Sequence, residues 1–248
     1  RRRGARILSS NQHGALAERL TPRILVANKK NAAARFADLL ERVGDDRAFA
    51  DVLADEKTRG FLQALADQSP FLWRIACNDR EGLLRILTHD PARETERILN
   101  ELREKCARYD DEADLMKALR KTRARMALLI ALADTGGLWD QSQVTAALSD
   151  SADAYVSTTL DFLLRHAVAD GKLIVSDPAQ AQAESGLIIL ALGKHGAREL
   201  NYSSDVDLVV FYEAARARFA ANVEPGPFYV RLTKSLSRIL SERTGDGY

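Results

Sequence analysis

Residues 186–212 read GLIILALGKHGARELNYSSDVDLVVFY. Two apolar runs, Gly186 to Leu192 and Val206 to Tyr212, bracket a polar stretch from Lys194 to Asp205. Both runs are short and apolar on both faces, and the second is rich in β-branched and aromatic residues. They therefore predict buried strands rather than helices. Gly193 closes the first strand. At the start of the second, Asp205 and Asp207 alternate with Val206 and Leu208. The two-residue period of a strand turns both carboxylates to one face, with Cα atoms about 6.5–7 Å apart.

Carboxylates at that spacing can share a hard divalent cation such as Mg²⁺, which takes oxygen ligands and keeps positions open for phosphate oxygens. Unpaired acids aimed into a core are costly, so their face must meet solvent, a metal or a cationic partner. Gly193 and Gly196 flank the turn that leaves the first strand, where backbone N–H groups can approach a phosphate without an intervening Cβ. Ser203 and Ser204 supply hydroxyls just ahead of the acids, and Lys194 can neutralise phosphate charge. Each element has an ordinary reading alone: a solvated acidic pair, strand-ending glycines, serines capping a turn. Their order is what points to nucleotide chemistry: strand, glycine turn, then Asp-x-Asp opening a second strand.

Upstream the pattern is different. Across most of residues 14–170, apolar side chains recur at three and four, as in Phe36, Leu39, Leu40 and Val43, which predicts helices. Pro91 suits the first turn of a helix through Glu94–Arg108. A longer helix is predicted from about Glu112 to Ala133 and stopped by Thr135-Gly136-Gly137, and another from about Ser151 to Ala169, ended by Gly171. After a loop over 213–227, an amphipathic helix runs from Phe228 to about Arg243. The expected fold is α+β: a helical module over 1–150, then an α/β domain over 151–248 with an incomplete sheet.

Composition narrows the class. Among 248 residues, 46% are hydrophobic and 29% charged, a globular balance. Lys+Arg number 36 against 35 Asp+Glu, for a net charge of +1, too little to hold nucleic acid by bulk electrostatics. No apolar run approaches the ~20 residues that span a bilayer, and no apolar segment follows Arg1-Arg2-Arg3 as in a secretory signal. Two cysteines, Cys77 and Cys106, make no disulfide framework and have no metal-ligand spacing. The expectation is a cytoplasmic protein without nucleic-acid or membrane partners. The missing Met at Arg1 and the ending Asp246-Gly247-Tyr248 suggest a piece of a longer polypeptide.

From Gly193 the pattern Gly-Lys-x10-Asp205-x-Asp207 resembles the nucleotidyltransferase-superfamily signature, with Lys194 where Ser is usual. The stretch Glu199-Leu200-Asn201-Tyr202-Ser203-Ser204-Asp205-Val206-Asp207 closely resembles the glutamine synthetase adenylyltransferase/adenylyl-removing enzymes. The likeness extends to Ser69-Pro70-Phe71-Leu72, to Leu115–Met126 and to Phe228–Leu240. It implies Mg²⁺-dependent nucleotidyl transfer, with Asp205 and Asp207 as metal ligands and catalytic residues. Gly193, Lys194, Gly196, Ser203 and Ser204 would hold nucleotide or phosphate. It also implies glutamine synthetase and the PII signal protein as partners and ATP, ADP and phosphate as small molecules.

Enzymes of that family have two homologous halves. The amino-terminal half removes AMP from a glutamine synthetase tyrosine by phosphorolysis, giving ADP, and the other half attaches AMP from ATP. The long helical leader and the ending Thr244–Tyr248 resemble the removing half. The resemblance further implies a third carboxylate on a strand beyond Tyr248. His195 stands where the family usually has Leu and reads as a packing or surface histidine. The alternatives are the AMP-attaching half, or a helical partner-binding module with an inactive site. Lys117, Lys121 and Arg125, with Arg120 and Arg123 nearby, read as a solvated basic face. Trp73 and Trp139 read as core or interface residues, and His166 as a buried-face histidine. His13 and His89 carry no argument.

Overall fold

The computed structural model describes residues 14–242, so His13, Arg243 and the Thr244–Tyr248 ending lie outside the described residues. Cα packing divides the chain into two compact units. Of the described residues, one unit comprises 14–96 and 127–140, the other 97–126 and 141–242. Two helices, α6 (Pro91–Cys106) and α7 (Glu112–Thr135), each contribute to both units. The boundary read from the sequence at 150/151 falls inside helix α8 (Gln141–Ala169).

The first unit is built of short helices: α1 (Lys29–Val43), α2 (Arg47–Ala54), α3 (Glu56–Gln68), α4 (Pro70–Asn78) and α5 (Arg80–Thr88). Their brevity is written locally, because each begins at a polar residue whose side chain accepts first-turn N–H groups. Asn28 accepts from Lys30 and Asn31, Asp46 from Ala48 and Phe49, Asp55 from Thr58, Ser69 from Leu72 and Asp79 from Gly82. Such caps contribute roughly 1 kcal/mol apiece. Helix α3 packs on α1, α2 and α4, and α5 closes on α2 and α4. Phe36, Phe49, Phe61, Leu65, Leu83 and Ile86 fill the interior. Trp73 is buried there, its indole N–H donating to the Arg35 carbonyl at 3.2 Å.

The second unit carries the strands. Helix α8 packs against α11 (Pro225–Ser241), with Leu160 and Leu164 meeting Phe228, Leu232 and Leu236. Leu102, Cys106, Leu115, Leu119, Phe162 and Ile239 form a second apolar cluster. Two small antiparallel sheets complete the α+β fold: β1 (Leu173–Ile174) with β4 (Arg218–Phe219), and β2 (Leu187–Ala191) with β3 (Leu208–Tyr212). A short helix α9 (Ala181–Glu184) precedes β2, and a single helical turn α10 (Gly193–Gly196) follows it. Among the described residues, no helix is long and apolar enough to cross a membrane.

Helix α8 begins about ten residues before the start expected at Ser151, because residues 141–154 are rich in Ala, Ser and Thr and show little apolar contrast. Helix α11 takes in Pro225 and Pro227, assigned from the sequence to a loop. Proline is tolerated in a first turn, whose N–H groups have no helical partner. Arg120 departs from the basic-face reading: it is buried, and its guanidinium donates to the Ile239 carbonyl at 2.7 Å and to the Glu242 carbonyl. It thereby satisfies the open carboxyl end of α11. Lys117, Lys121 and Arg123 remain exposed.

Tyr229 ties α11 to the start of β2. Its hydroxyl donates to the Ser185 carbonyl at 2.6 Å, and its ring stacks on Tyr212 of β3 with centroids 4.2 Å apart. Tyr229→Phe should therefore lower the unfolding free energy by about 1–2 kcal/mol, read by urea titration. An unchanged midpoint would contradict the bond's role. Burial lifts the Cys106 thiol to about 11 and raises Cys77 as well. A thiol more acidic unfolded than folded contributes stability that is complete below the unfolded value of ~8.5 and is lost as pH rises towards 11. Disulfide-exchange labelling of the native chain at pH 8 should be slow and should accelerate on unfolding. Rapid native labelling of both thiols would contradict their burial.

Candidate functional site

The β2–β3 pair is the frame of the site. Its register runs from Leu187 opposite Tyr212 to Ala191 opposite Leu208. The ladder extends one step further, with the Leu192 N–H donating to the Asp207 carbonyl at 2.9 Å. In an antiparallel pair, the end of one strand lies beside the start of the next. The glycine turn and the Asp-x-Asp segment, a dozen residues apart in sequence, are thus brought to one end of the ribbon.

The two approach closely. A Cβ on Gly193 would sit 3.6 Å from Oδ2 of Asp207. Gly193 has φ +54°, a left-handed conformation that L side chains adopt at a cost. Gly196 is constrained differently: a Cβ there would collide with the Ala191 carbonyl oxygen at the end of β2. Both glycines are thus required by geometry, one by backbone conformation and the other by close approach. Asp205 and Asp207 are exposed, and among the described residues neither side-chain carboxylate has a hydrogen-bond or ion-pair partner. Lys194 is also exposed, on the turn itself.

Alternation sets the character of the two ribbon faces. Leu187, Ile189, Ala191 and Leu208 line a half-open cavity of about 230 Å³ with Asp153, Val156, Ser157 and Leu160 of α8 and with Gln182 and His195. Asp207 pairs with Leu192 and belongs by the two-residue period to the opposite face, with Ile188, Leu190 and Phe211. These apolar residues are 44%, 48% and 53% exposed. The carboxylates therefore stand at the rim of an open apolar face, and the cavity lies behind the ribbon.

The serines are engaged elsewhere. The Ser203 and Ser204 hydroxyls donate to Oδ1 of Asn201 at 3.4 and 2.8 Å, and Ser204 Oγ accepts the Asn201 N–H at 3.0 Å. They close the tight turn that feeds chain into Asp205. Buried Leu200 anchors the loop just before that turn. The structure gathers Gly193, Lys194, Gly196 and Asp207 around the ribbon end, with Asp205 two residues away, and holds the serines on Asn201.

At this end the sequence reads His195 as a packing or surface histidine, whereas its partner on α8 and Arg198 do not announce themselves there. His195 is only 3% exposed, and its Nε2 lies 2.8 Å from Oδ1 of Asp153 on α8. Arg198 adopts φ +61° and pairs with Asp150 at 2.6 Å and with Asp153 at 4.0 Å. Asp150 and Asp153 share one turn of α8, and their spacing was the only available signal. Among the described residues, no group of three or more His, Cys, Asp or Glu side chains could hold a metal ion. The fit for a hard divalent cation rests on two open carboxylates, an all-oxygen donor pair of the type Mg²⁺ prefers.

Gly196→Ala should lower stability by about 1–3 kcal/mol, because the added methyl meets rigid backbone. Gly193→Ala should cost about 1–2 kcal/mol for its left-handed conformation alone. Thermal unfolding of both variants checks this; a neutral Gly196→Ala would contradict the close approach.

The family model for glutamate-ammonia ligase adenylyltransferase matches residues 60–248. The chain is 47% identical over 187 residues to the bifunctional glutamine synthetase adenylyltransferase/adenylyl-removing enzyme of Rhodopseudomonas palustris strain HaA2, covering 75% of this chain and 19% of that protein. It is 45% identical over 190 residues to the protein of the same description from Xanthobacter autotrophicus, covering 77% and 19%. With the one from Bradyrhizobium diazoefficiens, identity is 39% over 237 residues, covering 88% and 24%. The chain thus spans about a fifth to a quarter of the length of the curated relatives it matches. No solved structure matches it.

Proposed function

The chain belongs to the glutamate-ammonia ligase adenylyltransferase family, and on that footing we propose that it carries the nucleotidyl-transfer site of an adenylyl-removing enzyme. The reaction is phosphorolysis of AMP-modified glutamine synthetase in the cytoplasm. The observation that carries this reading is the meeting of the Gly193 turn with the open Asp207 carboxylate at the end of the β2–β3 ladder. A phosphate-bearing ligand needs an anion cradle beside a cation-holding carboxylate pair, and this ribbon end offers both kinds of group.

In this reading Asp205 and Asp207 hold Mg²⁺, which would neutralise charge on the transferring phosphoryl group. The first N–H groups of the α10 turn have no helical acceptor and are available to phosphate oxygens. Lys194 adds a mobile positive charge. Ser203 and Ser204 shape the loop through Asn201 and reach phosphate by exchanging that acceptor. The open apolar face beside the carboxylates excludes water from the reacting groups once a ligand covers it. An inorganic phosphate oxygen forms a bond to the AMP phosphorus while the bond from that phosphorus to the tyrosine oxygen breaks. ADP leaves, and the tyrosine oxygen takes up a proton. The names of the relatives make glutamine synthetase the protein substrate of this reading; the PII signal protein is proposed as a regulatory partner, and ATP as the nucleotide of the AMP-attaching half-reaction.

Asp205→Asn and Asp207→Asn, made in a polypeptide extended to the relatives' length, should each lower phosphate-dependent ADP release from adenylylated glutamine synthetase by at least about a hundredfold, given the several kcal/mol such charge stabilisation supplies. Near-normal release would reject the assignment. Incorporation of AMP from ATP into unmodified glutamine synthetase, lost in the same variants, would instead assign the attaching half-reaction.

A further inference from the structure

Helix α10 has four residues, too few to hold its own shape in water, so its orientation must be imposed from outside. Backbone bonds supply part of that: the Gly196 N–H donates to the Leu192 carbonyl at 3.0 Å, and the Glu199 N–H to the Lys194 carbonyl at 2.7 Å. These bonds are local and move with the turn. The side-chain links that reach outside it run to α8. His195 Nε2 donates to Oδ1 of Asp153 at 2.8 Å, while Arg198 reaches Oδ2 of Asp153 at 4.0 Å and Oδ1 of Asp150 at 2.6 Å.

The His195–Asp153 link has the features of a locating pin. The imidazole is almost wholly buried, and the tautomer that serves Asp153 carries its proton on Nε2. Among the described residues Nδ1 is buried with no partner, so Asp153 is the hydrogen-bond partner of the ring there. Removing Asp153 would leave both ring nitrogens without one, beside a cavity into which the ring can swing. His195 lies two residues after Gly193, whose position against Asp207 defines the candidate site. Both residues belong to the same helical turn, so a shift of the ring bears on the turn that makes that contact.

We propose that Asp153 of α8 is a positioning residue: through His195, with Arg198 alongside, it sets the glycine turn against Asp207 and so governs affinity for the phosphates of a metal-bound nucleotide. This rests on the nucleotide-site reading above. It predicts a split between metal and nucleotide, since Asp205 and Asp207 are carried by β3 and its approach, while the turn is carried by α8.

The test uses the 248-residue chain, with Mn²⁺ alone and Mn²⁺–ADP as probes, followed by electron paramagnetic resonance and calorimetry. Asp153→Ala should weaken Mn²⁺–ADP binding about tenfold, the order expected for losing a hydrogen bond to a charged group. It should leave affinity for Mn²⁺ alone within about twofold and the melting temperature within a few degrees, because this side chain is 59% exposed. Asp153→Asn keeps an acceptor for Nε2 and should restore most of the lost affinity. Asp153→Ala combined with His195→Ala should be no weaker than His195→Ala alone, since both remove one link. Unchanged Mn²⁺–ADP affinity in Asp153→Ala would overturn the proposal, as would a parallel loss of affinity for Mn²⁺ alone or additive losses in the double variant. If Asp207→Asn binds Mn²⁺–ADP as the unsubstituted chain does, the nucleotide-site reading itself fails. That outcome is read without any Asp153 variant, so the two failures are distinguishable.

Discussion

The antiparallel ladder between Leu187–Ala191 and Leu208–Tyr212 is the constraint on which the site depends. It converts a separation along the chain into a contact in space, bringing Gly193 against Asp207. The connection between the strands carries the candidate residues and has little structure of its own, with one helical turn and one Asn201-centred turn spanning it. Its shape is held at three places: the Leu192–Asp207 backbone bond, the approach of Gly196 to the Ala191 carbonyl, and the ties to α8. A slip of one residue in the ladder would turn Asp207 to the cavity face and break all three relations.

What supports the ladder is ordinary packing. A two-stranded ribbon alone is at best marginally stable in water. Leu187 and Ile189 rest on the cluster formed by α8 and α11, and Tyr229 fastens the start of β2 through the Ser185 carbonyl. The other face, with Ile188, Leu190 and Phe211, is left open. The asymmetry suits a site, because one face supplies rigidity and the other gives access to the carboxylates.

Much of this was legible in the residues. The two strands were read to within two residues of their limits, since short apolar runs bounded by glycine have few other solutions. The final helix carried a clear three-and-four period. The elements that escaped did so for physical reasons. The first turns of α8 lack apolar contrast, and the two-residue strands β1 and β4 are too short to show any period. Arg120 looked like one more cation on a basic face, because the carbonyls that bury it lie more than a hundred residues along the chain. Likewise Asp150, Asp153 and Arg198 were silent, since their pairing exists only after α8 and the glycine turn meet. The serines show a further limit of linear reading: their hydroxyls are spent on Asn201 within the same loop.

The central claim is that Gly193, Asp205 and Asp207 form one cation-centred site, and Mn²⁺-induced broadening of backbone amide signals across the described residues tests it most directly. At low Mn²⁺, the amides of Leu192 to Lys194 and of Asp205 to Leu208 should vanish first and together, while those of α9 and β1 persist. Broadening centred on another acidic surface, or spread evenly over the chain, would contradict the account.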